Sequence, residues 1–203
     1  MKKLVFICGH SYSGSKVLYE AMNYHPQIQG FRKNGFNIYE NKLNFLRYTE
    51  QKHKLNNRSA IYMDELVYNQ QLQTKDAYEI CKFIYVIRPP VNTLSLLIAK
   101  DNVKPSFAYR YYSFRMRRIC EMAKRTPGAV LLTHDNIMKR QGIDLITQYL
   151  GLREPFNFEP ELFFPYERSF STDLLGINLR SQAENTYEQY LYFLKNQSLL
   201  RVP

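Results

Sequence analysis

The stretch LVFICGHSYSGSKVLYEAM, residues 4–22, decides the fold of this chain. Residues 4–8 form an apolar run without polar alternation, which is typical of a parallel strand buried on both faces. Residues 16–23 have helical spacing, and glycines and small hydroxyl residues lie between the two segments. Backbone N–H groups and the helix dipole at such a junction favour an anion. We therefore predict a strand, a phosphate-binding loop and a helix.

The glycines of this loop do not follow the spacing of an ATP or GTP loop. Gly9 and Gly14 are separated by four residues, and Ser15 stands before Lys16. In the pattern G-x-x-x-x-G-K-[ST] the lysine follows the second glycine directly, so the chain misses this pattern by one residue. The spacing disfavours an ATP or GTP loop, and a plain glycine turn between strand and helix is the alternative.

Strands alternate with helices along the rest of the chain. Apolar runs at residues 83–87 and 129–133, with a weaker one at 60–63, predict strands, and helical spacing predicts helices at 43–52, 91–100, 107–124, 143–150 and 182–194. Such alternation predicts crossover units and a parallel sheet covered on both sides. We expect one α/β domain over residues 1–203, a three-layer P-loop-like fold whose central parallel sheet has about four to five strands flanked by helices.

Charge and composition narrow the partners and the location. A net charge of +10 implies attraction to phosphates, sulfates, acidic glycans or nucleic acid. The three cysteines cannot all pair internally, which favours reduced thiols and a cytoplasmic location. The start MKKLVFICGH has too few apolar residues for a signal peptide or a membrane span. The scattered cysteines and histidines predict no metal site.

The first loop and helix resemble those of sulfotransferases that use 3′-phosphoadenosine 5′-phosphosulfate. That family's loop reads P-[KR]-S-G-T-T or, in glycan-modifying members, [KR]-G-G-T-R-A-L-x-E-M-L followed by H-P. This chain reads YSGSKVLYEAMNYHPQI, closest in style to heparan-type and tyrosyl-protein sulfotransferases. The matching positions are Ser13, Gly14, Ser15, Lys16, Leu18, Glu20, His25 and Pro26. The resemblance implies that the loop wraps the 5′-phosphate and the transferring sulfuryl group, with Ser15 and Lys16 as donors.

The resemblance also defines a set of nucleotide-binding residues in this loop. They are Gly9, Ser11, Tyr12, Ser13, Gly14, Ser15, Lys16 and Val17. One departure is Tyr12, since the family has a lysine or arginine there that assists the leaving group. Lys16 or His10 would have to take over that function. Without the resemblance, His25 is explained as a surface histidine beside a proline that ends the helix.

The segment CKFIYVIRPPVNTLSLLI resembles the family's second signature, K-I-I-x-x-x-R-N-P followed by a helical serine. Ligands of open α/β sheets bind beyond the carboxyl ends of strands, so Arg88 lies where an anion would bind. The alternative for Arg88 is a salt bridge at the strand end. The resemblance implies that Arg88 and Ser95 hold the nucleotide's 3′-phosphate. Ser95 follows Arg88 by seven residues where the family has eight, and Thr93 is the alternative hydroxyl.

The sequence leaves the general base open among three residues. Glu40 lies in the region after H-P where glycan-modifying members carry a catalytic glutamate. Asp64 follows the weak strand where the family often has E-K-x-P, and His10 is the third candidate. Glu65 stands in place of the family lysine of that motif, which is a second departure and bears on the type of substrate. Each acidic residue is also explained as a solvated surface charge.

The run YRYYSFRMRR is compatible with an aromatic and basic surface for nucleic acid. Helical spacing instead predicts a core stripe of Tyr109, Tyr112, Met116, Ile119 and Ala123, with Arg110, Arg117 and Lys124 outside. We favour this second interpretation, which disfavours nucleic acid as a partner.

The resemblance extends over roughly residues 3–155 and implies a function. The expected enzyme moves a sulfuryl group to a hydroxyl or amine of a glycan or small-molecule acceptor, without a metal. Two alternatives stay open. One is a nucleotide-dependent small-molecule kinase, and the other is a non-catalytic module that binds nucleotide or nucleic acid.

Overall fold

A six-stranded parallel sheet runs through the described part of the chain. The structure is a computed structural model, and it describes residues 3–30, 61–66, 78–79, 81–159 and 172–202. The strands are β1 (Lys3–Gly9), β2 (Ile28–Gly30), β3 (Ile61–Leu66), β4 (Cys81–Ile87), β5 (Val130–Thr133) and β6 (Leu200–Arg201). Their order is β2-β3-β1-β4-β5-β6, and all neighbouring pairs are parallel. The predicted α/β class is confirmed, with more strands than expected.

Helices connect these strands. They are α1 (Ser15–Asn23), α2 (Pro90–Asp101), α3 (Pro105–Ala123), α4 (His134–Met138), α5 (Ile143–Leu150) and α6 (Ile177–Lys195), and a 3₁₀ turn covers Thr172–Leu175. The helix predicted at residues 43–52 lies outside the described residues. The unpredicted helix α4 begins with a capping box formed by Thr133 and Asn136. Within the described ranges, no helix is both long enough and apolar enough to cross a membrane.

Helices cover both faces of the sheet. Successive side chains of a strand point to opposite faces. Val5 and Ile7 of β1 pack with α1, α4 and α5, whereas Phe6 and Cys8 pack with α2, α3 and α6. All four side chains are completely buried, as their unbroken apolar run predicts.

The two central connections leave the sheet in opposite directions. Strands β1 and β4 are parallel neighbours. Helix α1 follows β1 on one face, and α2 follows β4 on the other face. Connections that diverge in this way open a crevice beyond the carboxyl ends of the strands, where ligands of open α/β sheets bind. The first loop and Arg88 border this crevice.

His25 is buried, which differs from the surface position expected for it. The ring is 5% exposed. Its Nδ1 accepts a hydrogen bond from the Gln27 amide at 3.1 Å, so the proton lies on Nε2, which donates to the Glu154 carbonyl at 3.2 Å. His25 therefore joins the end of α1 to the segment that follows α5.

Candidate functional site

The loop between β1 and α1 is tightly folded. The Ser13 amide donates to the His10 carbonyl at 3.0 Å, which closes a turn. Tyr12 and Gly14 have left-handed backbones, with φ of 61° and 97°. A Cβ at Gly9 would lie 2.4 Å from Ser13 Oγ. Glycine at position 9 therefore allows the loop to pack directly on the end of β1.

The loop leads directly into the N-terminus of α1. Gly14 is the N-cap and has no side chain that could cap the helix, and the first turn contains no acidic residue. Such a helix end presents backbone N–H groups and a partial positive charge. Ser15 is buried, Lys16 is exposed and Val17 is half-buried. The geometry of this helix start is compatible with the predicted anion site.

His10 joins the loop to the neighbouring strand. The ring is 1% exposed. Its Nε2 accepts a hydrogen bond from the Arg88 amide at 3.1 Å, so Nδ1 carries the proton and donates to the Ser11 carbonyl at 2.9 Å. Burial, reinforced by the charges of Arg115 and Arg88, lowers the pKa of His10 to about 4. The ring is neutral at pH 7 and both nitrogens are engaged, so this arrangement positions the loop and leaves no nitrogen to accept a substrate proton.

Arg88 is brought next to the loop, as its place at a strand end predicted. The residue is 5% exposed. Its Nη1 donates to the Tyr12 carbonyl at 3.2 Å, and its own carbonyl accepts from Tyr112 Oη at 2.9 Å. The loop thus holds the guanidinium at the crevice, and α3 holds the backbone of the same residue.

Arg115 is a buried cation of this site that the sequence analysis did not single out. The side chain is 0% exposed, and its Nε donates to the Gly9 carbonyl at 2.7 Å. Burial lowers the pKa of the guanidinium, while Cys8, Tyr111 and Glu65 act in the opposite direction. The sequence contains one indication of this contact. Arg115 lies three residues after Tyr112 on the apolar stripe of α3, where a charged side chain needs a partner.

Tyr111 provides a further contact between α3 and the loop. Its Oη accepts a hydrogen bond from the Ser11 amide at 2.8 Å and lies 3.0 Å from Ser11 Oγ. Together with Tyr112 and Arg115, it makes α3 the element that supports the loop and the end of β4. The predicted core stripe on α3 is confirmed, and part of it supports the site.

A carboxylate contacts the first residue of α1. Ser15 Oγ donates to Oε1 of Glu65 at 2.6 Å. Glu65 is the penultimate residue of β3 and pairs with Ile7 of β1. Its half-buried side chain reaches the face that α1 covers. In the sequence, Glu65 stands out only as a departure from the family lysine, because no local pattern signals its contact with Ser15.

The other predicted site residues are placed less closely or lie outside the described part. Glu40 is outside the described residues. Asp64 lies within β3 rather than after it and pairs with Phe6. Ser95 is 2% exposed, and its Oγ has no hydrogen-bond partner among the described residues. Thr93 Oγ1 donates to the Pro89 carbonyl at 3.4 Å.

Tyr12, which replaces the family cation, is bound by the end of α2. Its hydroxyl donates to Asp101 Oδ1 at 2.8 Å, and the Lys100 ammonium lies 6.0 Å from the ring centroid.

In the described ranges no three His, Cys, Asp or Glu side chains cluster in a way that could hold a metal ion. The loop, Arg88, Arg115 and Glu65 form one continuous constellation at the ends of three adjacent strands.

No protein-family model matches the chain, and no curated protein matches it at a significant level.

Proposed function

We propose that this protein is a sulfotransferase with a P-loop-like fold that uses 3′-phosphoadenosine 5′-phosphosulfate and modifies a hydroxyl or amine of a glycan or small molecule. The observation that supports it is the contact between the two motifs. Arg88 donates to the Tyr12 carbonyl and to the His10 ring. The resemblance assigns these two motifs to opposite ends of one nucleotide, and they border the same crevice.

The chemistry of the crevice suits a phosphate or sulfate group. Gly9 lets the backbone approach closely, since a Cβ there would collide with Ser13 and Ser15. The start of α1 has no capping side chain at Gly14 and offers N–H groups beyond Ser15 to an anion. Arg88 and Arg115 add two positive charges in a buried environment, where charges are less screened than at the surface. These features support binding of the anionic nucleotide.

Sulfuryl transfer needs alignment of the reactants and stabilisation of the charge that gathers on the leaving phosphate. In the proposed complex the loop amides and Lys16 bind the 5′-phosphate and the sulfuryl group, and Arg88 binds the 3′-phosphate. Tyr12 has no cation to offer and its hydroxyl is engaged by Asp101. Assistance to the leaving group therefore falls to Lys16.

Calorimetric titration with 3′-phosphoadenosine 5′-phosphate tests the nucleotide site. We expect Arg88→Ala and Lys16→Ala each to weaken binding at least about tenfold, because loss of one charged hydrogen bond costs roughly 1.5–3 kcal/mol. Arg117→Ala and Lys195→Ala are matched controls, since both side chains are exposed and lie outside the site. Both controls should bind like the wild type.

The outcomes separate the candidate functions. No binding by the wild type, or binding that neither Arg88→Ala nor Lys16→Ala weakens, would refute the proposal. Binding without any transfer from a radiolabelled sulfate donor would favour the non-catalytic nucleotide-binding module.

A small-molecule kinase is the second candidate, because a carboxylate contacts the loop serine. P-loop enzymes hold magnesium with the loop Ser or Thr and an acidic residue. Here Ser15 Oγ lies 2.6 Å from Glu65 Oε1. The charge of Arg115 interacts with Glu65, which disfavours a cation there. Tighter binding of magnesium ATP than of 3′-phosphoadenosine 5′-phosphate would favour the kinase.

A further inference from the structure

Glu65 and Arg88 lie on opposite sides of the loop. Strand β3 is the neighbour of β1 on one side, and β4 is its neighbour on the other. Adjacent strands are about 4.8 Å apart, so the two residues are separated by roughly two strand spacings. Arg88 is assigned to the far end of the nucleotide, and the loop to its reacting end. The side of β3 is therefore the side from which an acceptor approaches.

An in-line transfer requires groups on two opposite sides of the loop. The acceptor oxygen and the leaving oxygen must lie on opposite sides of the transferring group. A base that removes the acceptor proton must lie within hydrogen-bond reach on the acceptor side. Glu65 contacts Ser15, the first residue of α1, at 2.6 Å. In the proposed complex its carboxylate is thus next to the sulfuryl group at the loop, on the side away from Arg88.

We propose that Glu65 is the general base of the transfer, an inference that rests on the proposed function. Oxygen of the acceptor hydroxyl attacks the sulfur of the sulfuryl group, and its proton passes to a carboxylate oxygen of Glu65. The bond between sulfur and the bridging phosphate oxygen breaks, and its electron pair stays on the 5′-phosphate. The products are the sulfate ester, 3′-phosphoadenosine 5′-phosphate and protonated Glu65, which returns its proton to solvent.

Two neighbours keep the Glu65 carboxylate in place. The distance of 2.6 Å to Ser15 Oγ is typical of a hydroxyl that donates to an ionised oxygen. The guanidinium of Arg115 interacts electrostatically with the same carboxylate. A carboxylate accepts about four hydrogen bonds, so the bond from Ser15 is compatible with an additional one from an acceptor.

The histidine candidate for a base is engaged elsewhere. His10 uses Nε2 to accept the Arg88 amide and Nδ1 to donate to the Ser11 carbonyl. To accept a substrate proton, the ring would have to give up its hydrogen bond from the Arg88 amide. Glu65 requires no such rearrangement.

Release of sulfate to water tests the base without knowledge of the acceptor. The wild-type chain and Glu65→Gln would be incubated with radiolabelled 3′-phosphoadenosine 5′-phosphosulfate, and free sulfate would be measured. Glutamine keeps an oxygen that can accept from Ser15 but cannot take a proton. We expect the release rate to fall at least about 100-fold in Glu65→Gln. Binding of 3′-phosphoadenosine 5′-phosphate should change less than about threefold, since a base contributes to the reaction and not to nucleotide affinity.

The pH profile and a matched control distinguish a base from a structural residue. Release by the wild type should fall at acid pH as the carboxylate becomes protonated, and the residual rate of Glu65→Gln should not. Glu121→Gln, a carboxylate that is 45% exposed on α3 and pairs with Arg118, should behave like the wild type.

Two results would overturn the assignment of Glu65. One is sulfate release by Glu65→Gln at the wild-type rate. If Glu40→Gln then loses sulfate release, the base is Glu40 and not Glu65. The other is nucleotide binding by the wild type without release above the rate in buffer. Failure of the wild type to bind the nucleotide would instead refute the proposed function, and the base with it.

Discussion

The backbone amide of Arg88 donates a hydrogen bond to Nε2 of His10 at 3.1 Å. The two residues follow the adjacent parallel strands β4 and β1. One buried neutral ring thus fixes the distance between Arg88 and the loop that follows β1. Because a backbone N–H can only donate, the contact requires Nε2 to be unprotonated.

This contact predicts that the protein loses stability in acid through His10. The pKa of the folded ring is about 4, whereas the ordinary value is 6.5. Between these two pH values His10 is protonated in the unfolded chain and neutral in the folded protein. The free energy of unfolding therefore falls as the pH is lowered. The slope should be about 1.4 kcal/mol per pH unit from this residue. Urea unfolding at pH 7.5 and at pH 5 measures it.

The variant His10→Gln provides the comparison, since its amide oxygen can still accept from Arg88 and does not titrate. We expect the variant to be less stable than the wild type at pH 7.5, with a smaller loss of stability between the two pH values. Equal losses in the two proteins would show that His10 does not titrate as described.

Arg115 should be essential for stability. Arg115→Met leaves the Gly9 carbonyl without its donor and leaves Glu65 without this neighbouring cation. Loss of a charged hydrogen bond to a buried carbonyl costs about 1.5–3 kcal/mol. Urea unfolding should show a loss of this size. Arg117→Met on the same helix, whose side chain is 57% exposed, should change stability by less than about 0.5 kcal/mol, and equal effects of the two would contradict the buried role.

Gly9→Ala should damage the loop through a collision. The new Cβ would lie 2.4 Å from Ser13 Oγ and 2.6 Å from Ser15 Oγ. We expect at least about tenfold weaker binding of 3′-phosphoadenosine 5′-phosphate, since about 1.4 kcal/mol of lost contacts has that effect. Gly128→Ala is the control: its backbone φ is +77° but nothing lies within 4 Å of the new atom. That control should lose about 1–2 kcal/mol of stability through left-handed strain and keep its affinity.

Much of the fold could be predicted from local patterns. The apolar runs of β1, β4 and β5 are unbroken because both faces of these strands are buried, and such runs are visible in the sequence. Strands β2 and β6 have three and two residues, which is too short for any periodicity to show. Helix α4 has five residues and escaped notice for the same reason.

The site was predictable where its signal is local and not where it depends on tertiary contacts. Gly9 and Arg88 lie at strand ends and Gly14 lies at the start of α1, so their positions follow from secondary structure. Arg115 contacts Gly9 across 106 positions of sequence, and only a charge on an apolar stripe hinted at it. The contact of Glu65 with Ser15 depends on the register between β3 and β1, which no local pattern specifies.

Tyr112→Phe tests whether α3 positions Arg88. The phenol Oη donates to the Arg88 carbonyl at 2.9 Å, and the ring packs edge-on against His10 with centroids 5.1 Å apart. Phenylalanine keeps the ring packing and removes the donor, so a buried carbonyl loses its hydrogen bond at a cost of about 1–3 kcal/mol. We expect lower stability in urea and weaker binding of 3′-phosphoadenosine 5′-phosphate. Tyr192→Phe, at a tyrosine that is 73% exposed on α6, should alter neither. Wild-type affinity in Tyr112→Phe would show that the loop contacts are sufficient to hold Arg88 in place.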